Sequence, residues 1–366
     1  MRVFHVSAEQ FRELDALPPD LPGEGYLWIG IARQIFEGRC AELQAVLQRW
    51  TGGQLVDLHV SDLLNRQLPS HFDYTSWYDM LVFRRLAPAA AAAVTRPDAR
   101  DAAAHAARPA LPSIDTSPVG FALFDRVLLT VHPEDCAVRE HFASRLLAMS
   151  AAEARAGMRL PPNPADLMLR MVNHMVDGYL ELRRLLTRQF SHLQNELLNP
   201  KSQFRDWPLL LESRNQLHVL EDTCEDQRSA IQEWIDTLAQ WPAPKDDAGV
   251  REQELLRVRS RDVLEHIERV LSHVRRLEQS AEGAVQMHFS ALSHRTNAIM
   301  RTLTVLTAIF LPLNLITGFF GMNFDALPLI HSATGVWIAF TIMSVVGISL
   351  ALFFWRKRYL GTHRLP

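Results

Sequence analysis

The hydrophobic pattern of this chain changes character along its length. Up to about residue 131, apolar residues come in short runs bounded by turn residues, at 2–7, 26–32, 55–60, 77–85 and 121–131, and each run predicts a β-strand. Residues 37–50, between two of these runs, read as a helix. The alternation predicts a mixed α/β domain over residues 1–135. Within it, 87–118 is rich in Ala, Pro, Arg and Asp and reads as a mobile surface insertion.

From 136 to 249 the pattern is helical. One helix runs through REHFASRLLAMSAAEA. A second starts at Asn163-Pro164, an N-cap followed by proline at the first position, and runs to Leu198. A third follows Asp206 and ends at Trp241, before the break WPAPKDDAG. After that break no proline occurs between Val250 and Pro312. Apolar residues recur at heptad spacing, with Leu256, Val263, Val270, Leu277 and Ala284 in one series and Ile267, Val274 and Ala281 in another. Residues 250–302 therefore predict a stalk helix. Continued to residue 320 it would run roughly 105 Å at about 1.5 Å per residue, longer than a globular domain of this size needs.

The last seventy positions hold two uncharged runs, LTVLTAIFLPLNLITGFF at 303–320 and VWIAFTIMSVVGISLALFFW at 336–355. The first would form about 27 Å of helix, close to a bilayer core of about 30 Å. Arg295 and Arg301 precede it; Arg356, Lys357 and Arg358 follow the second; the link, 321–335, holds neither Lys nor Arg. The positive-inside bias then puts both termini, and the basic tail 356–366, in the cytoplasm and the link outside. Together these features predict an α+β membrane protein of the inner (plasma) membrane, with the soluble part kept in the cytoplasm because MRVFHVSAEQ has no signal-peptide run.

The first span is unusual for a plain anchor. At helical spacing, Asn297, Met300, Thr304, Thr307, Leu311, Asn314, Gly318 and Gly321 fall on one face, which mixes small, polar and apolar side chains. Such a face can line a water-filled pore or hold helices together through buried hydroxyls and amides. Pro312 interrupts the same helix and removes the N–H that would bond to the Ala308 carbonyl. One copy cannot enclose a pore, so a pore reading requires several.

Composition narrows the function. Charged residues make up 22% of the chain with a net charge of −3, which does not suit a polybasic nucleic-acid binder. The three cysteines lie far apart and form no zinc-knuckle spacing. No Walker A loop, GxGxxG, HExxH or GxSxG occurs, so an enzyme reading has no motif to stand on. Glu221, Asp222, Glu225 and Asp226 share one side of a helix, and His266 and His273 lie one heptad apart; both sets are candidate regulatory metal ligands, and both also read as solvated faces.

The run TNAIMRTLTVLTAIFLPLNLITGFFGMNFDALPLI, residues 296–330, resembles the CorA family of divalent-cation transporters. The resemblance is carried by Gly321-Met322-Asn323 at the end of the first of two C-terminal spans, the upstream FLP and the basic tail. It implies a funnel-shaped homopentamer whose stalk and first span surround a central pore. It implies conduction of Mg²⁺, and often Co²⁺ or Ni²⁺, with no bound cofactor and no enzymatic role. Gly321, Met322 and Asn323 would form the selectivity filter, with Gly321 allowing a tight backbone turn. Asn297, Met300, Leu303, Leu311, Asn314 and Gly318 would line the pore, and Asp325 would stand at the outer mouth. Whether Leu303 or Thr304 faces the axis is left open. The sequence departs from the family at Leu329, where a second acid is common, at Asn314, where Thr is common, and at Gln286, where an acid is common. The related ZntB branch, which handles Zn²⁺, usually has Ile at the place of Met322. A Zn²⁺ transporter, proton-coupled or not, is the alternative expectation, and a membrane-anchored sensor or scaffold a second.

Overall fold

The computed structural model describes residues 1–7, 10–87, 114–134, 136–152, 160–199, 207–244, 246–322 and 333–357. Seven strands form one sheet: β1 (Arg2–Val6), β2 (Phe11–Leu14), β3 (Tyr26–Ala32), β4 (His71–Tyr74), β5 (Asp79–Leu86), β6 (Thr116–Phe124) and β7 (Val127–His132). Their order is β2-β1-β3-β7-β6-β5-β4, and only β3 and β7 run parallel among the paired strands. Every residue of β3 and of β7 is buried, as expected where a central strand is covered on both faces.

Period-2 geometry sorts the strand side chains into two cores. Val3, Ile29, Ile31, Met80, Val82, Ala122, Leu129 and Val131 point to one face, against Phe36, Leu43, Leu47 and Leu63 of α1 (Arg33–Thr51) and α2 (Asp57–Leu64). Phe4, Val6, Trp28, Leu81, Phe83, Phe121, Leu123 and Leu128 point to the other. That face is covered by α3 (Ala137–Ala152), α4 (Pro164–Leu198), α5 (Trp207–Gln240) and the first part of α6 (Asp247–Phe320). The last helix is α7 (Ala333–Arg356).

The chain divides into two compact units, Met1–Glu282 and Gly283–Pro366, and α6 contributes to both. Within the first unit, the sheet and the helices of 136–249 share one core. Tyr179 of α4 and Gln227 of α5 both donate to the main-chain carbonyl of Arg84 in β5, at 2.9 and 2.8 Å. Trp234 is fully buried, donates to Ser260 at 2.8 Å and meets Phe72 edge to face at 5.9 Å. Asp166, also buried, bonds Arg170 at 2.9 Å and Arg259 at 2.7 Å, which ties the start of α4 to α6.

The helix starts follow the sequence closely. The Asn163 side chain accepts from the Asp166 amide at 2.9 Å with Pro164 at the first turn, and α4 ends at Leu198. The strand reading needs three corrections. Residues 55–60 are not a strand: α2 buries His59 and Leu63, one helical turn apart, and leaves Leu58 63% exposed. Gly120 of β6 lets this helix sit close, since a Cβ there would stand 2.2 Å from Leu63 Cδ2. Residues 121–131 are not one strand but the hairpin β6–β7, reversed at Asp125-Arg126. The insertion expected over 87–118 ends earlier, because Thr116, Ser117 and Pro118 already belong to β6; residues 88–113 lie outside the described residues. The edge strands β2 and β4, each of four residues, carry too few apolar positions to stand out in the sequence.

Candidate functional site

In the second unit, α6 and α7 each have one face that packs and one that does not. On α6 the more enclosed positions include Val305, Ile309, Pro312, Leu313, Ile316 and Phe320. Leu313 meets α7 at Gly347, where an added Cβ would contact both Leu313 Cδ atoms at 3.8 Å. At 100° per residue, the positions Asn297, Met300, Thr304, Thr307, Leu311, Asn314 and Gly318 lie on the other side of the helix, and all are exposed. Leu311 is 70% and Met300 57% exposed. Leu303 and Thr304 are both exposed, so a single chain does not choose between them.

The hydroxyls on this face have a defined orientation. Thr304 donates to the Met300 carbonyl at 2.8 Å and Thr307 to the Leu303 carbonyl at 2.9 Å. Each hydroxyl hydrogen is thereby spent on the helix itself, and the oxygen lone pairs remain as acceptors. An uncharged acceptor row of this kind can take hydrogen bonds from the water shell of a cation without binding the ion itself. The helix closes with Gly321 N–H to the Thr317 carbonyl at 2.9 Å and Met322 N–H to the Phe319 carbonyl at 3.4 Å. Gly321 does not adopt the left-handed conformation; its smallness matters instead because a Cβ would stand 3.0 Å from the Thr317 oxygen. Asn323 and Asp325 lie outside the described residues.

The candidate metal ligands of the first unit do not gather as the sequence pattern suggests. Glu221 and Glu225 both pair with Arg275, the first at 2.7 Å. Asp222 is exposed. The Asp226 carboxyl is held above its usual range by burial and by Asp222, with Arg84 opposing. His266 stands 3.6 Å from Asp262, and its Nδ1 is buried without a hydrogen bond. His273 shares a 2.8 Å hydrogen bond with Thr187, and burial lowers its basicity. The two histidines thus serve separate contacts. Among the described residues, the group that does come together is His218, Glu221 and Glu278, whose donor atoms lie within 4.8 Å of one another. His218 and Glu278 were missed by the sequence reading. His218 and Glu221 share the His-x-x-Glu spacing of one turn, which was legible, but Glu278 comes from another helix.

A second feature outside the expected set is a cavity of about 380 Å³ at the end of the sheet, lined by Asp79, Asp125, Trp77 and Trp241 among others. Burial and the neighbouring Asp125 push the Asp79 carboxyl up to about 6.

The architecture defines a class: a sheet-and-helix unit whose last helix also belongs to a unit of two helices long and apolar enough to cross a membrane. Only 6% and 0% of their most apolar windows are buried, unlike core helices of a soluble protein. The family model for CorA-like Mg²⁺ transporter proteins matches residues 104–358, more than half of the chain, and the protein belongs to that family. The cobalt/magnesium transport protein CorA of Thermotoga maritima is 24% identical over 194 residues, covering 53% of this chain. The match spans about half of that relative, 52% of its length. The magnesium transport protein CorA of Haemophilus influenzae is 24% identical over 246 residues, covering 67% of this chain and 73% of the relative. The complete structure of the Methanocaldococcus jannaschii CorA magnesium transporter shares the fold with a TM-score of 0.65 at 16% identity, covering 97% of both chains.

Proposed function

We propose that this protein is a divalent-cation channel of the inner membrane, with Mg²⁺ as its principal ion and Co²⁺ or Ni²⁺ also conducted. It would work as a homopentamer with both termini in the cytoplasm. The observation that carries the reading is the exposed face of α6 from Asn297 to Gly318, uncharged, rich in amides and hydroxyls, and turned away from α7. Copies of the chain arranged around that face would enclose a wet axis.

The chemistry follows from the ion. Mg²⁺ dehydrates reluctantly and keeps its waters, so a ring of neutral amide oxygens can hold the hydrated ion through its shell. Asn323 from each copy would supply that ring at the outer end, with Gly321 and Met322 shaping its approach and Asp325 attracting cations to the mouth. Asn314 and Thr307 would hand the hydrated ion inward, while Met300 and Leu311 would form apolar constrictions that close by dewetting, with either Leu303 or Thr304 facing the axis between them. The names of the relatives, which transport magnesium or cobalt and magnesium, support the choice of ion.

The test is ion flux into liposomes holding the purified protein. Mg²⁺ uptake is expected for the native chain, and Asn323→Ala should cut it at least tenfold while the protein still assembles. Unchanged flux in that variant would remove the filter role. Uptake of Zn²⁺ in preference to Mg²⁺, driven by a pH gradient, would favour a zinc transporter instead.

A further inference from the structure

The cluster of His218, Glu221 and Glu278 lies outside the residues assigned to the pore, and it groups Glu221 with partners other than the acids it was first read with. We propose that it is a binding site for a borderline transition-metal ion, Zn²⁺, Co²⁺ or Ni²⁺, that ties α5 to α6 on the soluble unit and does not accept Mg²⁺.

Three features argue for it. First, the donors are pre-placed. His218 and Glu221 sit one turn apart on α5 and therefore project together, and Glu278 of α6 faces them, all three donor atoms within 4.8 Å of each other. His218 Nε2 and Glu278 Oε1 are already 3.0 Å apart. Two ligands on a tetrahedral zinc, each about 2.0–2.1 Å from the metal, stand about 3.3 Å from one another. A metal ion would take the place of the shared proton, with a water completing four-coordination. Second, the backbone under the site is fixed. Leu217, Leu220 and Cys224 of α5 and Leu271, Val274 and Ala281 of α6 belong to the same core, so the two helices hold their register without the metal. Third, one carboxylate is oriented from outside. Arg275 Nε donates to Glu221 Oε1 at 2.7 Å, and an outer partner of this kind orients a metal ligand. Arg214 stands 3.9 Å from the same Glu278 oxygen that faces His218, too far for a hydrogen bond. These ion pairs are partly solvated and weak enough for a dication to rearrange.

The donor set decides the metal. One imidazole nitrogen and two carboxylates suit Zn²⁺, Co²⁺ and Ni²⁺, whereas Mg²⁺ demands oxygen ligands in octahedral array. The site would let the soluble unit respond to a transition metal in the presence of excess Mg²⁺.

The experiment titrates Co²⁺ into the purified full-length protein and follows visible absorption, with Zn²⁺ binding measured by calorimetry. The native chain should bind one ion per chain with a low-symmetry Co²⁺ spectrum, undisturbed by millimolar Mg²⁺, and Zn²⁺ should raise Tm. His218→Ala and Glu278→Gln should each weaken that binding at least tenfold and abolish the Zn²⁺-dependent rise in Tm. Comparing native and variant proteins separates this site from any binding in the pore. His218 is exposed and Glu278 half-buried, so His218→Ala should keep the native metal-free Tm and Glu278→Gln, which preserves the shape of the side chain, should stay close to it; should one misfold, Glu221→Gln supplies the same comparison. Identical Co²⁺ spectra and Zn²⁺ affinities in native and variant proteins, or displacement by Mg²⁺, would overturn the proposal.

Discussion

The same helix, α6, behaves in two ways. In the first unit its apolar stripe is consumed within the chain: Leu256, Val263, Ile267, Val270, Val274 and Ala281 are all buried. In the second unit the stripe stops being covered. Every residue from 289 to 304 is exposed, including Phe289, Leu292, Ile299, Met300 and Leu303. Both stretches satisfy their backbone internally, so the difference lies wholly in the side chains. The first stretch folds against its own sheet and helices. The second presents apolar surface that a lone chain in water would not leave open, which is what a segment made for lipid or for another protein surface looks like.

That contrast can be broken by substitution. The largest effect is expected at Trp234→Ala, which empties a fully buried site and unmakes the bond to Ser260; it should cost about 3–5 kcal/mol in urea unfolding of the soluble unit. A loss below about 1 kcal/mol would mean that the first unit does not depend on its own core. Next comes Asp166→Asn. It removes the carboxylate charge that Asp166 offers Arg170 and Arg259 and should cost about 2 kcal/mol, read from the same transition.

Asp79→Asn should act in the opposite direction. Burial and the neighbouring Asp125 push the native carboxyl up to about 6, above the 3.8 of a free aspartate, so the folded state binds the proton more tightly than the unfolded chain. Stability from this group is therefore highest at low pH and falls as pH rises through the window from about 4 to about 6. Replacing the acid with a neutral amide should raise stability by about 1 kcal/mol at pH 8, after allowance for solvent, and change nothing below pH 4. Equal gains at both pH values would assign the effect to packing. The smallest stability change, under about 0.5 kcal/mol, is expected at Leu311→Ala, because its side chain has little to lose within the chain. Liposome flux through this variant should nevertheless rise severalfold; a large drop in Tm with flux unaltered would place Leu311 in a structural contact instead.

Much of the fold was legible because long helices advertise themselves. Asn163-Pro164 fixed the start of α4, and the heptads from Leu256 marked the buried side of α6. What stayed hidden depended on neighbours. The segment 55–60 alternates like a strand, yet Leu63 and the bare surface of Gly120 draw it into a helix. The turn at Asp125-Arg126 carries neither Gly nor Pro, so two strands read as one. The face from Asn297 to Gly318 was readable from spacing alone, since a single helix sets it. The grouping of Glu278 with His218 and Glu221 was not, since no one-dimensional pattern pairs α5 with α6.

The oxygen of Arg84 is a small feature with a wide reach. Because Tyr179 and Gln227 both donate to one main-chain oxygen, sliding either long helix against the sheet would strand a buried donor. Strand β5, α4 and α5 are thereby joined at a single acceptor, and a displacement of one of them within the first unit draws on the other two.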